Sequence, residues 1–391
     1  MEKVERDNGT GLGGGVVDAL FRECEARGAS DIHLAAGQPP WMRVRGRLDS
    51  CGGRTLPEEE VESAAIALGA MTLPPDETGD CDVRSRVLGR LAERGAIDGA
   101  CTSPSGARYR FNVFREGGRC AIALRRLDDV FRSLADLGLP ERLGDFCDCR
   151  DGLVVVTGPT GSGKSTTLAT LIDRVNRTRG GHVITIEDPV EYLHVSNKCL
   201  VQQRQIGRDA RDFNSALVES LRQDPDVILV GEIRELETIR TAITAAETGH
   251  LVFTTLHAGD CAGAVERIVS VFPADEQDGI RHQLALVLRG IFAQHLLPTA
   301  DGAGRVPACE LLVATPAIAN LVATGRSNQI HSAIETGAAQ GMFTLDQSLA
   351  NLVASGKVTL TSAMGLCHNP ERLAKRLSHR AEISEQGARH G

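Results

Sequence analysis

The sequence predicts an α/β protein: a small α+β domain, then a parallel sheet covered by helices on both faces, then a helical C-terminal part. Three observations predict it. First, a short apolar run, Leu153-Val154-Val155-Val156, leads through a glycine-rich turn into Leu168, Leu171, Ile172 and Val175, spaced as one face of a helix. Second, further β-rich runs follow at Val183–Ile186, Val227–Val230 and Leu251–Thr255, separated by helical patterns such as Phe213, Leu217 and Leu221. That alternation is the signature of a parallel sheet with crossover helices. Third, the segment before residue 128 carries short alternating runs with turn signals between them.

Taken in order, residues 1–15 end in Gly11-Leu12-Gly13-Gly14-Gly15 and read as a mobile arm. Residues 16–127 form the α+β domain. Val16, Val17, Leu20, Phe21 and Cys24 share a helical face, Ala29–Leu34 turns into a strand, and Trp41–Leu48 alternates as one strand after the Pro39-Pro40 break. Leu56-Pro57-Glu58-Glu59-Glu60-Val61 reads as a helix start, with carboxylates in the first turn. Residues 79–101 read as irregular and charged. Tyr109–Phe114 and Cys120–Arg125 read as two strands joined through Glu116-Gly117-Gly118. Residues 128–140 are the expected linker, 141–370 the second domain and 371–391 a polar tail. From Gly279 onward the pattern reads as helical throughout, with stripes at Leu284, Leu288, Ile291 and Phe292, at Ile318, Leu321 and Val322, and at Leu345, Leu349, Leu352 and Val353. Gly325 and Gly356 stand where C-terminal caps belong.

Composition narrows the function classes. A net charge of −8, one Trp and two Tyr leave little for a nucleic-acid surface or base stacking, so no nucleic-acid partner is expected. Met1–Asn8 lacks the apolar core of a signal peptide, and no apolar run approaches a membrane span. A cytoplasmic protein is expected, with membrane contact peripheral at most. The eleven Cys are scattered without a C-x-x-C pair and read as reduced thiols, Cys147 and Cys149 included.

The chemistry centres on Gly158-Pro159-Thr160-Gly161-Ser162-Gly163-Lys164-Ser165-Thr166, a full match to the phosphate-loop pattern between a strand and a helix. Its backbone N–H groups would cradle phosphates, Lys164 would reach the β- and γ-phosphates of ATP, and Ser165 would hold Mg²⁺. Hydrolysis also needs groups that position water and metal, and these belong at neighbouring strand ends. Glu187–Tyr192 follows one run, Gly231-Glu232 another, and His250 and His257 flank the next. Each carboxylate alone is equally a cap or a solvated turn residue, and each His alone is better read as a structural hydrogen-bonding group. Together, at successive strand ends, they favour a nucleotide site. Glu232 stands one place beyond the usual position of an acidic residue, which Gly231 occupies.

These segments resemble a known family. Gly158–Thr167, Ile184–Tyr192, Asp224–Arg234 and Thr248–His257 are similar to the Walker A, Asp box, Walker B and His box of the secretion ATPases. With Ala29–Leu34, Gln38–Leu48 and Gly337–Leu349, the chain most resembles the type IV pilus retraction ATPases, the twitching-motility PilT group, over roughly residues 16–370. It lacks the four-cysteine metal module and longer N-terminus usual in the extension and type II secretion ATPases. The resemblance implies a PAS-like N-terminal domain, a RecA-like P-loop ATPase domain and a homohexamer. It implies ATP hydrolysis driving pilus retraction at an inner-membrane platform protein, with a paralogous retraction ATPase as a further partner. By position it makes Glu191 the general base, Glu232 a holder of Mg²⁺ through water, His257 and His250 the His-box pair, and Arg110 and Arg125 nucleotide-approaching arginines. Ala317-Ile318-Ala319-Asn320-Leu321 lacks the arginine of the retraction group's Ala-Ile-Arg-Asn-Leu signature. The alternatives are therefore an accessory ATPase of the PilU group or an ATPase of a related secretion or conjugation machine.

Overall fold

The computed structural model describes residues 16–73, 82–127 and 130–378; the expected arm at 1–15 and the end of the chain lie outside them. Two compact units emerge. One holds the described residues up to Val130 with Glu187–Leu193 and Arg204–Asp212, and the other holds Phe131–Ile186, His194–Gln203 and the described residues from Phe213 on.

The first unit comprises α1 (Val16–Arg27), β1 (Ala29–Ala35), β2 (Trp41–Val44), β3 (Arg47–Ser50), α2 (Glu58–Ala70), α3 (Val83–Arg94), β4 (Ala96–Thr102), β5 (Arg108–Glu116) and β6 (Arg119–Arg126). The strands form one antiparallel sheet in the order β3-β2-β1-β6-β5-β4. Phe21, Leu68, Val87 and Leu91 of the helices join Ile32, Met42, Phe111, Val113 and Leu124 of the sheet in one core.

Two expectations are corrected here. Trp41–Leu48 is a hairpin, not one strand: Arg45 and Gly46 both take positive φ, 50° and 84°, and turn β2 into β3. A two-residue turn leaves the period-2 alternation in phase on both sides, so the pattern reads straight through it. The stretch at 79–101, described from Asp82 onward, is regular. Asp82 caps α3 by accepting from the N–H of Arg84 at 3.1 Å, Val87 and Leu91 bury its inner face, and Gly95 at φ 79° ends it before β4. The dense charge that hid this helix covers its solvent side.

The second unit comprises β7 (Gly152–Thr157), α4 (Lys164–Thr178), β8 (Gly181–Glu187), β9 (Cys199–Gln205), α5 (Phe213–Ser220), β10 (Val227–Val230), α6 (Leu236–Glu247), β11 (Leu251–Leu256), α7 (Cys261–Ser270), α8 (Gln277–Val287), β12 (Leu288–Pro298), β13 (Arg305–Val313), α9 (Pro316–Ala323), α10 (Ile330–Thr336), α11 (Leu345–Ala354) and α12 (Leu360–Met364). Its sheet runs β13-β12-β7-β11-β10-β8-β9, with β12, β7, β11, β10 and β8 parallel. β7, β10 and β11 are buried along their whole length, as strands covered on both faces must be.

The wholly helical reading beyond Gly279 is corrected. Leu288, Ile291 and Phe292 belong to β12, which pairs parallel with β7 and antiparallel with β13. A strand buried on both faces reads as a continuous apolar run, and spacings of three and four within it mimic a helix. Gly325 and Gly356 do end α9 and α11, at φ 66° and 68°. Residues 371–378, expected within the polar tail, are helical, and Leu373 is buried with Leu345 and Leu349. In the expected linker, Leu134 and Leu139 are buried in this unit's core.

Gly290 of β12 has no room for a side chain: a Cβ there would collide with the Phe146 ring and come within 2.9 Å of the Leu312 carbonyl oxygen. Gly290→Ala should therefore destabilise the fold by about 1–3 kcal/mol. Gly89 in α3 has open space, so Gly89→Ala should stabilise by up to about 1 kcal/mol. Urea unfolding of both variants measures this, and equal midpoints would contradict the packing described for β12.

Candidate functional site

Between β7 and α4 the chain bends three times through conformations that favour glycine. Gly158, Gly161 and Gly163 have φ of 143°, 77° and 91°. At Gly158 the requirement is also spatial, because a Cβ would collide with the backbone carbonyl oxygen of Gln294 on β12. Gln294 is buried and accepts from the Thr167 hydroxyl at 2.7 Å, so β12 holds both the loop and the first turn of α4. Sequence reasoning missed Gln294 because it placed residue 294 in a helix.

Lys164 opens α4 and is 8 % exposed. Its ammonium donates to the carbonyls of Gly158 and Pro159 at 2.8 and 3.0 Å, which fixes it over the loop. Burial draws its pKa down, while the Glu232 carboxylate opposes that shift. Ser165 lies exposed in the first helical turn, and the Ser162 hydroxyl is buried without a hydrogen-bond partner among the described residues.

Glu232 follows β10. One carboxylate oxygen, Oε1, meets both the Arg234 guanidinium and, at 3.0 Å, Nε2 of His257. His257 follows β11, whose position is locked to β7 by Thr157: that hydroxyl donates to the Ala258 carbonyl at 3.0 Å and accepts from the Ala258 N–H at 2.9 Å. Burial, then the nearby Lys164 ammonium, hold the His257 pKa below its ordinary value, so the ring is neutral at pH 7 and can donate from Nε2. A cavity of about 340 Å³ is lined by Thr160, Glu232, Ile233, Arg234, Leu256, His257 and Arg267. Arg234 and Arg267 are two lining cations that sequence reasoning did not single out, although Arg234 closes the Asp224–Arg234 segment.

His250 is not brought to this cluster, contrary to the sequence expectation. β11 pairs with β7 so that Leu251 faces Gly152 and Leu256 faces Thr157. His250 and His257 therefore stand at opposite ends of a six-residue strand, roughly 20 Å apart. Nδ1 of His250 lies 2.9 Å from the Ala245 carbonyl and ties off the end of α6.

The first unit gathers a different set. Arg110 and Arg125 are cross-strand neighbours on β5 and β6. Arg110 faces Glu191 at 3.8 Å and Asp98 at 3.9 Å, and Arg125 donates to Asp31 at 2.8 Å. Burial pushes the Asp31 carboxyl up, but hydrogen bonds from Ser30 and Arg125 outweigh it and hold its pKa below the ordinary value. Arg108 anchors the Glu191 turn by donating to the Val190 carbonyl at 2.8 Å.

The donor set around Lys164 fits a polyphosphate with a divalent cation: the backbone of a glycine-rich turn at a helix N-terminus, a fixed ammonium, an exposed Ser165 hydroxyl and a carboxylate at Glu232. Mg²⁺, when bound, would neutralise charge on the phosphate oxygens.

Residues 116–364 match the family described as type II/IV secretion system protein. The chain is 42 % identical to the type IV pilus retraction ATPase PilT of Pseudomonas aeruginosa, over 88 % of this chain and 96 % of that protein. It is 38 % identical to the type IV pilus ATPase PilU of the same organism, over 89 % and 87 %. A crystal structure of the pilus retraction motor PilT with bound ADP superposes with a TM-score of 0.81 at 40 % identity, over 92 % of this chain and 99 % of that one.

Two measurements test the cluster. Lys164→Ala should lose nearly all nucleotide affinity and turnover, whereas Glu232→Ala should bind nucleotide and turn over slowly, because cradling phosphates is separable from positioning metal and water. Equal loss of binding in both would reject these roles. His257 takes up a proton only below its ordinary 6.5. Any acid loss of turnover due to this ring should therefore appear below that pH and vanish in His257→Gln. A limb unchanged in the variant would assign it elsewhere.

Proposed function

Because this chain belongs to the type II/IV secretion system protein family, we propose that it is an ATP-hydrolysing motor that powers type IV pilus retraction. The observation that carries the reading is the Lys164–Glu232–His257 cluster on a chain 42 % identical to a retraction ATPase over nearly its whole length. In this reading Gly158, Pro159, Thr160, Gly161, Ser162, Gly163 and Thr166 wrap the phosphates through backbone and hydroxyl groups. Lys164 meets the β- and γ-phosphates, and Ser165 and Glu232 hold Mg²⁺, the latter through water. Glu191 takes the proton of the attacking water, and His257 donates to the γ-phosphate. His250 is left out of this subunit's chemistry.

The motor acts as a homohexamer at the cytoplasmic face of the inner membrane, against a platform protein of the pilus machine. No helix among the described residues is long and apolar enough to cross a membrane, consistent with peripheral attachment. Nucleotide-driven domain motion supplies the work.

A second reading, an accessory retraction ATPase, is favoured by Ala319. It lies half-buried on α9 where the retraction group carries arginine, and the 38 % identity to PilU keeps that group close.

Deletion of the gene in its own cell decides between them. A principal motor should leave cells with surface pili and no twitching. An accessory motor should leave weakened retraction, and Ala319→Arg should then raise independent function. Cells without pili would overturn both. Arg110→Ala and Arg125→Ala should lower turnover of the purified hexamer more than its nucleotide affinity, since arginines are needed most as charge develops on the γ-phosphate. Unchanged turnover in both would remove them from the site.

A further inference from the structure

Away from the phosphate loop, three side chains from three separate elements converge. Glu310 lies on β13, His331 on α10, and His368 in the turn before the helix at residues 370–378. One ligand atom from each lies within 4.8 Å of the other two. The geometry points to a site for a divalent transition-metal ion of the zinc class, held by these three residues.

Each ligand is fixed from behind. Glu310 is 2 % exposed, and its two oxygens accept backbone N–H groups from Cys261 at 2.9 Å and Leu345 at 3.4 Å, the first residues of α7 and α11. Each oxygen keeps a lone pair for a cation. His331 has its Nε2 buried with no hydrogen-bond partner among the described residues. A buried acceptor or donor left unmet calls for a ligand. His368 is positioned through its backbone: Asp346, itself buried, accepts from the N–H groups of His368 and Asn369 at 2.8 and 3.2 Å. The two imidazoles meet edge to face with centroids 5.8 Å apart. Asp260 Oδ2 lies 3.6 Å from Nε2 of His368, close enough to orient that ring after a small rotation.

The donor types select the ion. Two imidazoles and one carboxylate suit Zn²⁺ and its late first-row neighbours, whereas Mg²⁺ and Ca²⁺ prefer all-oxygen shells. Ligands bound at tetrahedral Zn²⁺ stand roughly 3.4 Å apart, so the widest of these separations must close by up to about 1.4 Å, within reach of side-chain rotation. The exposed side of His368 leaves a fourth position to water. A metal there would clip α10 and the final helix to the sheet at β13, and so stabilise the C-terminal helices.

The test uses the full-length protein, stripped with chelator and free of nucleotide, titrated with Zn²⁺ by calorimetry and followed by thermal unfolding. Wild type should bind one Zn²⁺ per chain and unfold at a higher temperature with metal. His331→Gln, His368→Gln and the double variant should lose that stoichiometric binding and the thermal shift, while their metal-free unfolding temperatures stay near that of the stripped wild type. Asp260→Asn should weaken binding about tenfold. Cys367→Ser should bind as wild type does, separating this site from a thiol site next to His368. Less than one Zn²⁺ per wild-type chain, binding unchanged in the double variant, or loss of binding in Cys367→Ser would overturn the assignment.

Discussion

The nucleotide cluster depends on one contact made from below. Gln294 reaches from β12 under the loop, where its backbone carbonyl fills the space a Gly158 side chain would need and its side chain accepts from Thr167. Because β12 is paired in register with β7, from Ile291 opposite Val155 to Ala293 opposite Thr157, the loop inherits the rigidity of the sheet. A loop fixed in this way keeps its conformation without contributions from the rest of the site, and preorganisation of that kind is the condition for electrostatic stabilisation.

A second constraint aligns the chemistry laterally. Thr255 donates to the Gly231 carbonyl at 2.6 Å, and the N–H of Gly231 donates to Ile186 at 2.8 Å. The ends of β8, β10 and β11 are thereby stitched together, and Glu232 and His257 emerge side by side. His257 keeps a low proton affinity in spite of this neighbour, because burial and the Lys164 ammonium outweigh Glu232. The Glu232 carboxylate and the neutral His257 imidazole thus line one cavity, with the Lys164 ammonium close enough to lower the pKa of that ring.

The first unit answers a different demand. Its sheet buries one face under α1, α2 and α3 and leaves Arg110 and Arg125 on the other. Cross-strand placement brings their two positive charges together, and Asp31, Asp98 and Glu191 offset the repulsion. These arginines are consequently held in defined positions while their side chains stay largely accessible, 44 % and 70 % exposed.

The sequence by itself determined the glycine-rich loop with its flanking strand and helix, and the parallel runs at Val183, Val227 and Leu251. All are encoded locally, by glycine at strained φ and by unbroken apolar runs. Tertiary structure decided the rest. The hairpin at Arg45-Gly46 preserves the alternation that hides it, and β12 shares its apolar spacing with a helix until pairing with β7 makes it a strand. Gln294, and the meeting of Glu310 with His331 and His368, arise from contacts between segments distant in the chain, for which local periodicity carries no signal.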